Sequence, residues 1–147
     1  CAQLNPWNGV ILMAKKLYTT TMINKGGRAG EVWSNDHKWD FKIGTPGIDK
    51  ESTNPEQLFA AGFASCFNGA LDLALQQAGI SAEPTVRAKV SLYQEGDEPD
   101  FHIGVDLFGH IDGLDETETK KYMAIAETIC PYSKATRGNI EVTVNAE

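Results

Sequence analysis

The sequence predicts an α+β domain with the element order β-β-β-α-β-β-α-β. Two observations predict it. Short runs of β-branched and aromatic residues alternate and are joined by brief turns, the mark of antiparallel sheet. Between them stands one stretch, LFAAGFASCFNGALDLAL, that is apolar or small nearly all round, followed later by an amphipathic stretch with a helical stripe.

Leu17 to Ile23 (LYTTTMI) reads as the first strand. Asn24-Lys25-Gly26-Gly27 is a turn, because glycine supplies positive φ. Arg28 to Trp33 returns as the second strand, and Lys38 to Ile43 is the third, with Trp39, Phe41 and Ile43 on one face. Pro46 and Gly47 break the segment that follows. A long helix then starts at Asn54, a good N-cap, with Pro55 at the first helical position, where its missing N–H costs nothing. It runs to about Ala78, and Gly79 stops it. Thr85 to Tyr93 and Phe101 to Ile111 alternate and form a hairpin, the second strand presenting Phe101, Ile103, Val105 and Leu107. Asp115 caps a second helix over Glu116 to Ile129, with Tyr122, Ile125, Ala126 and Ile129 as its stripe. Pro131 disfavours helical geometry at Cys130, so Cys130-Pro131-Tyr132-Ser133 reads as a turn at the helix end. Ile140 to Val144 is the last strand.

The chain has 147 residues, enough for one domain. Met13, followed by AKKLYTT, reads as a natural start, so residues 1–12 read as an N-terminal extension, a cloning scar or upstream sequence, and residues 13–147 as a single domain. Cys1 as a lipidated cysteine is the alternative. Net charge is −7, from 13 basic and 20 acidic side chains, which argues against nucleic acid and against an anionic membrane surface as partners. Leu58 to Leu75 contains Ser65, Asn68 and Asp72, so it reads as too polar to cross a bilayer. No basic segment precedes an apolar one as in a signal peptide, and a cytoplasmic location is expected. A helix that is apolar all round needs cover on two sides. Either a second copy of the chain supplies the second cover, giving a homodimer, or the second helix and the loops do.

The three cysteines contain no C-x-x-C, which excludes a zinc ribbon and a thioredoxin motif. Cys66 lies mid-helix with Gly62, Phe63, Gly69 and Ala70 three and four residues away. A free cysteine in such company is most often a small core residue, and a buried thiol without a charge partner is unreactive. Cys130, at a helix end, sits where core cysteines are uncommon. Glu56 in the first helical turn has a plain capping role open to it, and Arg28, after two glycines, has that of a solvated cation.

Three separated motifs bear on this choice. TNPEQLFAAGFASCFNGAL at residues 53–71 resembles the signature of the OsmC/Ohr family. CPYSKATRGN at residues 130–139 is similar to the second signature of its organic hydroperoxide resistance branch, and KGGRAGEV at residues 25–32 to the arginine-bearing loop of that branch. The likeness covers about Leu17 to Val144; Asn68 departs from it, standing where a histidine is common. The resemblance implies an intertwined homodimer with antiparallel sheets around a long central helix. It implies a peroxidase in which Cys66 attacks the peroxide, Cys130 resolves the resulting sulfenic acid, Arg28 sits over the thiolate and Glu56 pairs with that arginine. The reductant it implies is a dihydrolipoyl group on a lipoylated protein; no cofactor or metal is implied.

Elementary chemistry agrees with these roles. A guanidinium lowers a neighbouring thiol's pKa and stabilises charge that builds on the peroxide oxygens. Phe59, Phe63 and Phe67, with Tyr132, offer apolar pocket walls suited to an alkyl or fatty-acid hydroperoxide. Three rival functions remain. A metalloenzyme lacks support, because His37, His102 and His110 form no ligand motif. A thiol hydrolase needs a histidine base, and none is close to Cys66 in sequence. A non-catalytic apolar-ligand-binding or redox-sensing protein is the third, and peroxide consumption with a dithiol separates it from the enzyme.

Overall fold

A computed structural model of the chain describes residues 3–4, 11–12 and 14–147. Cys1 and Met13 lie outside the described residues, as does most of the expected extension; within it, Gln3–Leu4 (β1) pairs antiparallel with Ile11–Leu12 (β2). The chain packs as two compact units, one ending at Ser52 and one spanning Thr53–Glu147.

In the first unit, Met22–Lys25 (β3), Glu31–Ser34 (β4) and Asp40–Lys42 (β5) form an antiparallel sheet in that order. The expected first strand is shortened at its start. Its ladder begins at Met22↔Ser34, and β4 ends at Ser34, so residues before Met22 find no strand to join. The turn falls later than expected, over Gly26 to Gly30, with Gly26 at φ 90° and Gly27 at φ 63°. Asn24 braces it: its Oδ1 accepts from the Gly27 N–H at 3.0 Å, and its Nδ2 donates to the Glu31 carbonyl at 3.2 Å. Arg28 stands in the middle of this turn, in a single 3-10 turn over Gly27–Ala29, rather than opening β4.

The second unit holds Pro55–Gln77 (α1), Pro84–Gln94 (β6), Phe101–Ile111 (β7), Glu116–Ile129 (α2), Pro131–Thr136 (α3) and Val142–Ala146 (β8). Asn54 caps α1, its Oδ1 accepting from the Gln57 N–H at 2.8 Å. Gly79, at φ 72°, ends it, and the Ile80 N–H returns to the Leu75 carbonyl. β6 and β7 pair antiparallel along their whole length, from Pro84↔Ile111 to Gln94↔Phe101. α1 and α2 pack on this hairpin and on each other. The core between them is Phe63, Phe67, Leu71, Leu75, Val105, Leu107, Ile111, Met123 and Ala126.

Four expectations change here. β8 lies parallel to β7, from Val105↔Val142 to Gly109↔Ala146, because the chain returns through two helices rather than a tight turn. Phe101 is exposed at the turn end of the hairpin, paired with Gln94 and beyond the reach of β8. The buried stripe of α2 is Thr119, Tyr122, Met123 and Ala126, while Ile125 and Ile129 are exposed. Met123 takes the inward position because Gly109 opposite has no side chain; a Cβ there would collide with the Met123 thioether. Finally, α1 is long and apolar enough by length and composition to cross a bilayer, contrary to the sequence reading. Its face of Phe63, Phe67, Ala70, Leu71, Ala74 and Leu75 is instead spent on the core of the unit.

Candidate active site

Cys66 lies on α1 at the edge of the buried stripe, between Phe63 and Ala70, so its thiol is partly exposed. Cys130 extends the buried stripe of α2, four residues beyond Ala126, and is 1% exposed. It closes α2, its N–H donating to the Ala126 carbonyl, and then turns to extended backbone at ψ 120°, as the following proline requires. The turn expected after it is a short helix, α3. Pro131 occupies the first position of α3, and the Lys134 N–H donates back to the Cys130 carbonyl at 3.1 Å. Pro131 directly after a helix end, and Gly138 at φ 75° beyond Thr136, are the signals that could have revealed this helix.

Packing of α2 and α3 on α1 brings the cysteines together. Cys130 Sγ stands 3.6 Å from Cys66 Sγ, and both are free thiols. A disulfide needs about 2 Å, so oxidation asks for a movement of an ångström or two and no rearrangement of the fold. Burial pushes the Cys66 thiol above its ordinary pKa; a hydrogen bond from the Tyr132 backbone acts the other way, and the Cys130 thiol adds to the rise. That main-chain group, in the first turn of α3, was invisible to side-chain motif reading.

Tyr132 lies against α1 as well. Its ring is 5.6 Å from Phe63 and 6.1 Å from Phe59, and those two phenylalanines meet edge-on at 6.0 Å. Phe59 and Tyr132 are half-buried, whereas Phe63 is wholly buried. Phe67 is wholly buried in the core of the unit. Glu56 sits in the first turn of α1 and is half-buried; Arg28 is in the first unit, on its glycine turn, and is exposed. Both residues have interaction partners. Asn68 donates from Nδ2 to the Pro84 carbonyl at 3.0 Å, tying α1 to the start of β6. Among the described residues no group of three His, Cys, Asp or Glu side chains is placed to hold a metal ion.

Two thiols in contact, one reachable and one sealed, form an arrangement that known proteins can be compared with. The family model described as OsmC-like protein matches residues 48–145. The chain is 42% identical over 138 residues to organic hydroperoxide resistance protein-like 2 of Staphylococcus epidermidis, covering 90% of this chain and 97% of that one. The crystal structure of the organic hydroperoxide resistance protein OhrB of Bacillus subtilis superposes with a TM-score of 0.83 at 38% identity, over 90% of this chain and all of that one. An organic hydroperoxide resistance protein of Elizabethkingia anophelis, with thiocyanate bound, gives 0.83 at 39% identity over 91% and 99%. This chain belongs to the OsmC-like family, in its organic hydroperoxide resistance branch.

Proposed function

We propose that the protein is a thiol peroxidase that reduces organic hydroperoxides to alcohols. The observation that carries this reading is the pair of free thiols 3.6 Å apart, with Cys66 partly exposed and Cys130 sealed. The Cys66 thiolate attacks the terminal peroxide oxygen, the O–O bond breaks, and an alkoxide leaves and takes up a proton as alcohol. Cys66 is then a sulfenic acid. The Cys130 sulfur attacks it, the S–O bond breaks, and water leaves as the disulfide forms. A dithiol returns both electrons by exchange and becomes a disulfide itself. Dihydrolipoyl groups on a lipoylated protein are the reductant this reading assigns.

Within its own unit the Cys66 thiol is pushed up, so activation calls for a cation. We assign that part to Arg28, with Glu56 holding the guanidinium by a two-point contact. The same guanidinium would stabilise charge on the breaking O–O bond. We assign Phe59, Phe63, Phe67 and Tyr132 to the apolar surroundings of the peroxide, supported by the ring cluster of Phe59, Phe63 and Tyr132 on α1; such surroundings favour an alkyl or fatty-acid chain over hydrogen peroxide. A homodimer in the cytoplasm completes the reading. It is supported by the apolar side chains the single chain leaves exposed, among them Tyr18, Met22 and Trp39 of the first unit and Leu73, Leu92 and Phe101 of the second.

The raised Cys66 thiol also suits a second reading, a non-catalytic binding or redox-sensing protein. One experiment separates the two: turnover of cumene hydroperoxide and of hydrogen peroxide with dihydrolipoamide. The peroxidase turns over the organic peroxide repeatedly and prefers it. A single stoichiometric oxidation with no turnover would support the sensor instead.

A further inference from the structure

Gly62 lies one helical turn before Cys66 on α1, and a Cβ built there would stand 2.7 Å from the Tyr132 hydroxyl and 3.2–3.3 Å from two ring carbons. The ring has little freedom to retreat, since Phe59 and Phe63 flank it at 6.1 and 5.6 Å. Tyr132 is two residues beyond Cys130, in the first turn of α3, so where its ring rests on α1 governs where that turn rests. We propose that Gly62 is a positioning residue: its missing side chain lets Tyr132 lie flush on α1, and this seats the α2–α3 junction with Cys130 Sγ against Cys66 Sγ. The idea rests on the two-cysteine reading above and assigns the residue that sets the spacing of the pair. Adding one methyl group at Gly62 therefore acts on the resolving step, through Tyr132, without touching either sulfur.

The test uses glutathione disulfide rather than peroxide, so that it stands apart from the peroxidase reading. The Cys66 thiolate attacks one glutathione sulfur and expels one glutathione. The Cys130 thiolate then attacks the Cys66 sulfur of the mixed disulfide and expels the second. Two protein thiols are oxidised and one glutathione disulfide is reduced to two thiols. In Gly62→Ala the second step, followed by mass spectrometry of quenched samples, slows. The pH midpoint of Cys66 alkylation by iodoacetamide rises, since a lost hydrogen bond to a charged sulfur is worth about a tenfold change in thiolate fraction. Gly62→Ala with Tyr132→Phe removes the nearest colliding atom and recovers most of both effects. A general packing defect would lower stability without that recovery. Unchanged resolution and alkylation in Gly62→Ala, or effects that Tyr132→Phe leaves in place, would overturn the proposal. If Gly62→Ala does not fold, Tyr132→Ala decides from the other side: it slows resolution if the ring seats the junction, and resolution at the wild-type rate refutes the idea. Should the glutathione assay succeed while hydroperoxide turnover is absent, the peroxidase reading fails and the positioning role stands.

Discussion

Burial makes two chemically identical thiols unequal. Cys130 is sealed at a helix junction, and Cys66, at the margin of the α1 stripe, meets solvent. Cys66→Ser is therefore expected to abolish hydroperoxide turnover, and a coupled peroxide-consumption assay checks it. Cys130→Ser is expected to consume one equivalent and stop with dithiol reductants, leaving a Cys66 sulfenic acid or its over-oxidised forms in the mass spectrum. The pH dependence follows from direction. Burial and the neighbouring thiol hold the proton on Cys66 in the folded unit, so this group favours folding at low pH. That contribution fades as pH rises from the ordinary thiol pKa through the raised one. Arg28, if it faces the thiolate, opposes the rise. Arg28→Ala is then expected to move the alkylation midpoint upward and to slow single-turnover oxidation by about two to three decades, with high pH restoring only part of the rate. Wild-type speed with organic peroxide at neutral pH would remove Arg28 from the catalytic machinery. Cys66 and Cys130 could be picked out as a pair from sequence, but their contact could not, because 63 residues, including the β6–β7 hairpin and all of α2, lie between them.

Helix α1 and the β6–β7 hairpin were legible because their signals are local. Asn54, Pro55 and Gly79 mark the helix ends, and alternation marks the strands. Asn54→Ala removes the acceptor for the Gln57 N–H and should cost about 1 kcal/mol, read by urea unfolding. Gly109→Ala places a methyl group into Met123 and should destabilise by about 1–3 kcal/mol in the same experiment, as overpacked cores do. The stripe of α2 was misread by one helical position for the same reason that makes Gly109 matter. Ile125 and Ile129 are the more apolar residues, yet Met123 faces inward, since the space over Gly109 takes a long unbranched side chain, and Thr119 is buried with it. Helix α3 was missed because six residues carry too little periodicity to be recognised.

At the scale of the molecule, large apolar side chains remain exposed on both units, including Leu17 and Tyr18 before β3 and Leu73 on α1. Such surface is expected to be covered by a second copy of the chain, and light scattering at micromolar concentration should give the mass of a homodimer; a monomer mass would refute it. The α+β class, the caps and length of α1, the strands of the β6–β7 hairpin and the family could be read from the residues alone, because each is written in neighbouring residues or in short motifs. It took the folded chain to show that β8 joins β7 in parallel, that Phe67 belongs to the core, that Tyr132 leans on Gly62, and that the two sulfurs meet. Those outcomes depend on which distant surfaces share a packed interior. Close packing settles that by volume and direction across the whole unit, and no local window of residues contains it.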